Sequence, residues 1–208
     1  MLDGLVPMCY SIHDGLESIL WRSKNQPSDA WLRLPLGSLL WTFMKHHLKC
    51  IEGFYGGAFD VHIAMPSHPS TRGGLSHLDT LIGNVRNFAA YWDSGVLTKN
   101  DASKAGARRG RIITDLFTAK PAVNGKRVLL FDDTFTTGGS MASAAHALRR
   151  SGAVSVVGLT FGRQLNADWK DSKDFVTSLS NRELEIDKCA VHEGRPMDHF
   201  ELFFRQPG

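Results

Sequence analysis

The stretch Val128-Leu129-Leu130-Phe131-Asp132-Asp133-Thr134-Phe135-Thr136-Thr137-Gly138-Gly139-Ser140 carries most of the information in the chain. Four apolar residues open it and read as a strand buried on both faces, where polar alternation is lost. Two carboxylates, Asp132 and Asp133, follow where the strand would emerge. Thr134, Thr136, Thr137 and Ser140 then supply hydroxyls, and Gly138 and Gly139 let the backbone approach a ligand closely. A run of backbone N–H groups enters a helix, and a helix N-terminus behind a glycine turn favours a phosphate. Carboxylates beside that nest would repel the phosphate, so Asp132 and Asp133 are expected to face sugar hydroxyls or a hydrated Mg²⁺. A plain N-cap in a tight turn explains the Thr, Ser and Gly. It gives no reason for two adjacent acids on an apolar strand.

Working outward, Arg127 to Phe131 is expected as the strand and Asp132 to Gly139 as a loop. A helix is expected from Ser140 to about Arg150, with Arg149 and Arg150 in its last turn and Gly152 just beyond. Val154 to Phe161 reads as the next strand. Upstream, Phe59 to Met65 reads as a strand stopped by Pro66, with a turn-rich loop from Ser67 to Gly74 after it. A helix should then bury Leu78, Leu81, Ile82, Val85, Phe88 and Ala89. This alternation predicts an α/β fold with a parallel sheet flanked by helices. In such sheets ligands sit at the carboxyl ends of strands. Residues 1–57 look mostly helical, from the apolar stripes Leu16, Ile19, Leu20 and Leu36, Leu39, Leu40, Phe43. They are expected to form a small helical hood over an α/β core at 58–208. In the tail, 168–179 reads as a helix, and 184–191 and 200–205 as strands.

Composition narrows the functional classes. The 208 residues are 42% hydrophobic and 22% charged, as in an ordinary globule. No apolar run reaches the roughly 18–20 residues of a membrane helix, and the N-terminus MLDGLVPMCY lacks the pattern of a signal peptide. A cytoplasmic protein is the expectation. Three cysteines, Cys9, Cys50 and Cys189, argue against a disulfide framework, and no C-x-x-C or H-E-x-x-H occurs. The net charge of +3 does not mark a polycation, and no nucleic-acid signature accompanies the basic residues. Those residues are nevertheless concentrated: eight fall between Lys99 and Arg127 against two acids, which suggests a local anionic partner.

Other phosphate motifs fail on spacing. G-x-x-x-x-G-K-[ST], G-x-G-x-x-G and the nucleophile elbow are absent. VLLFDDTFTTGGS instead resembles the thirteen-residue phosphoribosyl-pyrophosphate motif of type I phosphoribosyltransferases, and the chain is more narrowly similar to the competence protein F (ComF-like) branch. The segments IAMPSHPSTRGG, RRGRIITDLF and NGKRVLLFDD add to the resemblance, which spans about Phe59 to Arg163. The zinc module that often opens that branch is missing, and its R-G-F-N stands here as Arg72-Gly73-Gly74-Leu75.

The resemblance implies transfer of a phosphoribosyl group from 5-phosphoribosyl 1-pyrophosphate to a nitrogen acceptor, with Mg²⁺ as cofactor and pyrophosphate as product. Asp132 and Asp133 would bind the ribose hydroxyls directly or through the metal. Thr136, Thr137, Gly138, Gly139 and Ser140, with Thr134 beside them, would hold the 5′-phosphate. Ser67, His68 and Arg72 would face the pyrophosphate. Basic residues of Lys99 to Arg111, Arg108 and Arg109 among them, would form a loop closing over it. A homodimer is a further expectation. The alternative is a non-catalytic module that binds phosphoribosyl pyrophosphate or a nucleotide, linked to DNA uptake, since binding alone would preserve the same loop.

Overall fold

The structure, a computed structural model, describes residues 1–11, 15–67, 76–100, 110–166, 168, 170–179 and 191. In chain order the elements are β1 (Gly4–Ser11), α1 (Leu16–Asn25), α2 (Arg33–Phe54), β2 (Val61–Ala64), α3 (His77–Gly83), β3 (Leu97–Lys99), β4 (Phe117–Ala119), β5 (Arg127–Phe135), α4 (Gly139–Arg150), β6 (Ser155–Gln164) and α5 (Lys170–Leu179). A 3₁₀ turn at Pro27–Leu32 joins α1 to α2.

Four strands form a sheet in the order β1-β6-β5-β2, each neighbouring pair parallel. One row across it runs Leu5, Gly158, Leu130, Ile63, and the next runs Val6, Leu159, Phe131, Ala64. Val128 to Phe131 are fully buried, as are Val156, Val157, Leu159 and Phe161. Both faces are therefore covered, which is why these strands carry no polar alternation. On one face Phe131 packs on Phe161 and Trp92, and Phe88 links Trp92 to Trp41 of α2. On the other, α4 lies so close that a Cβ at Gly158 would overlap Met141 Sδ and stand 3.1 Å from Leu5 Cδ1. The α/β fold with helices flanking a parallel sheet thus agrees with the sequence reading.

Three expectations need correction. The first 57 residues are not only a helical hood: residues 4–11 are an edge strand of the sheet. Its segment GLVPMCYS hides this, because Gly4 and Pro7 read as breakers. An edge position tolerates proline, and Leu5, Val6 and Met8 are buried as in any core strand. α2 does behave as cover, burying Leu36, Leu40, Phe43, Met44 and Ile51.

The helix expected through Ala89 stops at Gly83. It begins as a capping box, with Ser76 Oγ accepting from Asp79 N and Asp79 Oδ2 from Ser76 N. It ends before Asn87, whose φ of +63° no helix accommodates. Leu78, Leu81, Ile82 and Phe88 are buried all the same, so the apolar spacing reports burial there rather than helix length.

Finally, β5 does not stop at Phe131. It stays paired with β6 as far as Phe135 beside Arg163, so the expected loop shrinks to Thr136–Gly138. The helix near 168–179 is present as α5. The strands expected at 184–191 and 200–205 lie outside the described residues, Val191 excepted. Among the described residues no helix is long and apolar enough to cross a membrane.

Candidate functional site

β2 pairs with β5 only up to Ala64 beside Phe131, where Met65 N donates to Phe131 O at 2.8 Å. The chain then turns away at Pro66, which has no N–H to continue the ladder. Two residues along β5, the amide on the same side is that of Asp133, which has outrun its strand partner. It donates to Asp132 Oδ1 at 2.9 Å, and Thr134 N donates to Asp133 Oδ1 at 2.8 Å. The end of β2 therefore opens the sheet at the acidic pair.

That opening is a cleft of about 240 Å³, below the roughly 300–1,000 Å³ of a drug-sized pocket and suited to a small ligand. Asp132, Asp133, Thr134, Thr136, Thr137, Gly138, Gly139, Ser140 and Ser67 all line it, so nine of the residues expected from sequence converge on one wall. His68, Arg72, Arg108 and Arg109 lie outside the described residues.

The two carboxylates start on opposite faces of the strand, yet both residues line the cleft. Burial, then the charge of Asp133, push the Asp132 carboxyl up to about 8. Lys24 Nζ stands 3.4 Å from Asp133 Oδ2.

At the other end of the cleft, Gly138 caps α4 with φ +75° and ψ −5°, and among the described residues no side chain caps the helix. The first-turn N–H groups therefore have no intrahelical partner and, among the described residues, no side-chain cap, and they lie beside the exposed hydroxyls of Thr136, Thr137 and Ser140. An anion there would receive backbone donors and the helix dipole together.

The segment just after the basic stretch packs on this turn. A Cβ at Gly139 would lie 3.0 Å from Arg111 O. Ile113 N donates to Ser143 Oγ at 2.9 Å, and that hydroxyl donates to Gly139 O at 2.6 Å. β3 and β4 pair antiparallel and bracket residues 100–116. Gly110 and Arg111, the described residues at the end of the basic stretch, thus lie beside the anion end.

Sequence reasoning missed Lys24 and His77. Lys24 sat in a polar break between two helical stripes, with no motif to mark it. His77 is the first residue of α3. Its Nε2 lies 3.4 Å from Ser23 Oγ, whose own proton goes to Leu20 O at 2.8 Å. The ring therefore donates from Nε2, and burial drives its pKa down to about 4, so it is a neutral wall of the cleft. Lys99, named only as one member of the basic stretch, donates to Ser67 O at 3.5 Å from across the cleft.

The acidic pair is the oxygen donor set available to a cation, and no cluster of three or more His, Cys, Asp or Glu poised for a metal occurs among the described residues. No family model matches the chain, and no curated protein matches it.

Proposed function

We propose that the cleft binds 5-phosphoribosyl 1-pyrophosphate and that the protein is a type I phosphoribosyltransferase acting on a nitrogen acceptor. One observation carries the reading: an acidic pair and an uncapped, glycine-led helix N-terminus face the same small cleft at the carboxyl end of a parallel sheet. A ligand with a vicinal diol at one end and a phosphate at the other satisfies both. In this reading the 5′-phosphate sits on Thr137 to Ser140, and the ribose hydroxyls meet Asp132 and Asp133. The acceptor nitrogen bonds to the anomeric carbon as the bond to pyrophosphate oxygen breaks, through an oxocarbenium-like state.

Mg²⁺ fits the donor set in kind. Carboxylate oxygens are hard ligands, and a pair crowded enough to raise one pKa gains from a nearby cation. Asp132 and Asp133 would hold it, with water and ligand oxygens completing its shell. When bound, it would neutralise charge on the departing pyrophosphate. The protein's own part is alignment, cationic charge from Lys99 and the basic stretch, and exclusion of water.

Arg72-Gly73-Gly74-Leu75, standing where the resembled branch has R-G-F-N, favours a second reading, in which the cleft binds the sugar phosphate without turnover. Pyrophosphate release from phosphoribosyl pyrophosphate and Mg²⁺, measured over a panel of bases and amines, separates the two. Release with one acceptor supports the transferase. Binding by calorimetry with no release for any acceptor supports the module. Absence of binding rejects both.

A further inference from the structure

Among the described residues, a single cationic side chain forms an ion pair with the acidic pair, and it comes from outside the sheet. Lys24 is the penultimate residue of α1, whose end is held down by buried Leu20 and Ser23 and by Arg33 Nε donating to Ser23 O at 3.1 Å. Its backbone is thus anchored, while its ammonium rests on Asp133 Oδ2. The Lys24 side chain is 40% exposed, against 19% for Asp133.

The carboxylate oxygens are differently engaged. Oδ1 of each aspartate accepts a backbone N–H. Asp133 Oδ2 is the oxygen turned to a cation, and Lys24 already stands on it. A divalent ion at that oxygen would meet the ammonium within a few ångströms, where like charges repel even in a well-solvated cleft.

We propose that Lys24 sets the cation preference of the cleft: its ammonium is the resident counter-ion of Asp133 and competes with a divalent cation for Asp133 Oδ2. This rests on the reading of Asp132 and Asp133 as a cation and sugar site. An ion pair this exposed is weak, so the ammonium yields to a ligand that brings its own metal. Once displaced, it is free to turn to that ligand's anionic oxygens. Lys24 thereby links metal entry to the N-terminal helix.

The test titrates the full chain with Mn²⁺ alone, followed by paramagnetic resonance of the free ion. The wild type is compared with Lys24→Gln, Lys24→Arg, Asp133→Asn and Lys24→Gln/Asp133→Asn. Lys24→Gln should bind Mn²⁺ about tenfold more tightly, the size expected from removing one adjacent positive charge. Lys24→Arg, which keeps the charge, should stay near the wild type, and the double variant should lose the gain. Equal affinity of Lys24→Gln and wild type, with binding still weakened by Asp133→Asn, overturns the role of Lys24 and leaves the cation site standing. So does a gain in Lys24→Arg as large as that in Lys24→Gln. Mn²⁺ binding that ignores Asp133→Asn, or none at all, overturns the proposal together with the site reading.

Discussion

The ring of Phe135 fills the space beneath Gly138: a Cβ at that glycine would fall 2.9 Å from Cε2 of the ring and closer still to Cζ. The last residue of the strand thus sets the shape of the anion turn, and the turn needs a glycine for both its φ of +75° and its lack of a side chain.

Gly138→Val is consequently not a clean probe of ligand binding, although from sequence alone a valine there would only obstruct a ligand. It should cost about 2 kcal/mol or more, from left-handed backbone strain plus overpacking on Phe135. Melting temperature and phosphoribosyl-pyrophosphate affinity should fall together. Thr137→Ala, at an exposed position, should leave melting unchanged and weaken binding about ten- to a hundredfold, as for loss of a hydrogen bond to a charged group. Calorimetry and a melting curve on both variants check this.

Asp132 should make stability fall as pH rises. Its folded pKa of about 8 lies above the ordinary aspartate value of 3.8, so the folded state holds the proton more tightly. The associated stability is complete below about pH 4 and is lost as pH climbs through 8. Asp132→Asn removes this dependence. The melting temperature of wild type relative to Asp132→Asn should therefore drop steadily between pH 4 and 8. A constant difference across that range would mean that Asp132 is an ordinary carboxylate.

Ser143 is fully buried and ties the chain at Ile113 to the start of α4 through one hydroxyl. Ser143→Ala leaves the Ile113 N–H without that acceptor and should cost about 1–3 kcal/mol. The Ile113 amide should exchange faster, with amides in the middle of β5 little changed. Hydrogen exchange read at both places distinguishes a local tie from a global loss.

Asp3 fastens the edge strand. Its Oδ2 accepts from Val156 N at 2.7 Å and Ser155 Oγ at 3.0 Å, and Arg149 pairs with Oδ1. Asp3→Ala should destabilise by about 1–3 kcal/mol. Asp3→Asn should cost less, since it keeps an acceptor and forfeits mainly an exposed ion pair worth about 1 kcal/mol or less. Denaturant unfolding of the two variants gives the comparison. Equal losses would place the stabilisation in the charge rather than in the strand contacts.

Legibility followed how local each signal was. Val128 to Phe131 and the residues through Ser140 lie on one strand, turn and helix, so their spacing alone brings eight candidate residues to the cleft, and Ser67 joins them only through the pairing of β2 with β5. Residues 4–11 were illegible as a strand because pairing with β6, some 150 positions away, makes them one, and Gly4 and Pro7 speak against it locally. The extension of β5 to Phe135 likewise depends on β6 being there to pair.

What the amino-acid sequence by itself determined is the order of apolar strands and helices, the glycine turn, and the presence of two acids beside it, because these depend on neighbours a few residues apart. What only the tertiary structure decided is which distant side chains complete the cleft. Lys24 reaches Asp133 across 109 positions, and His77 is neutral because the fold buries its ring. The adjacent charge of Asp133 is legible in the sequence, but the burial that acts first on the Asp132 proton and the ammonium that Lys24 brings to Asp133 are products of the fold.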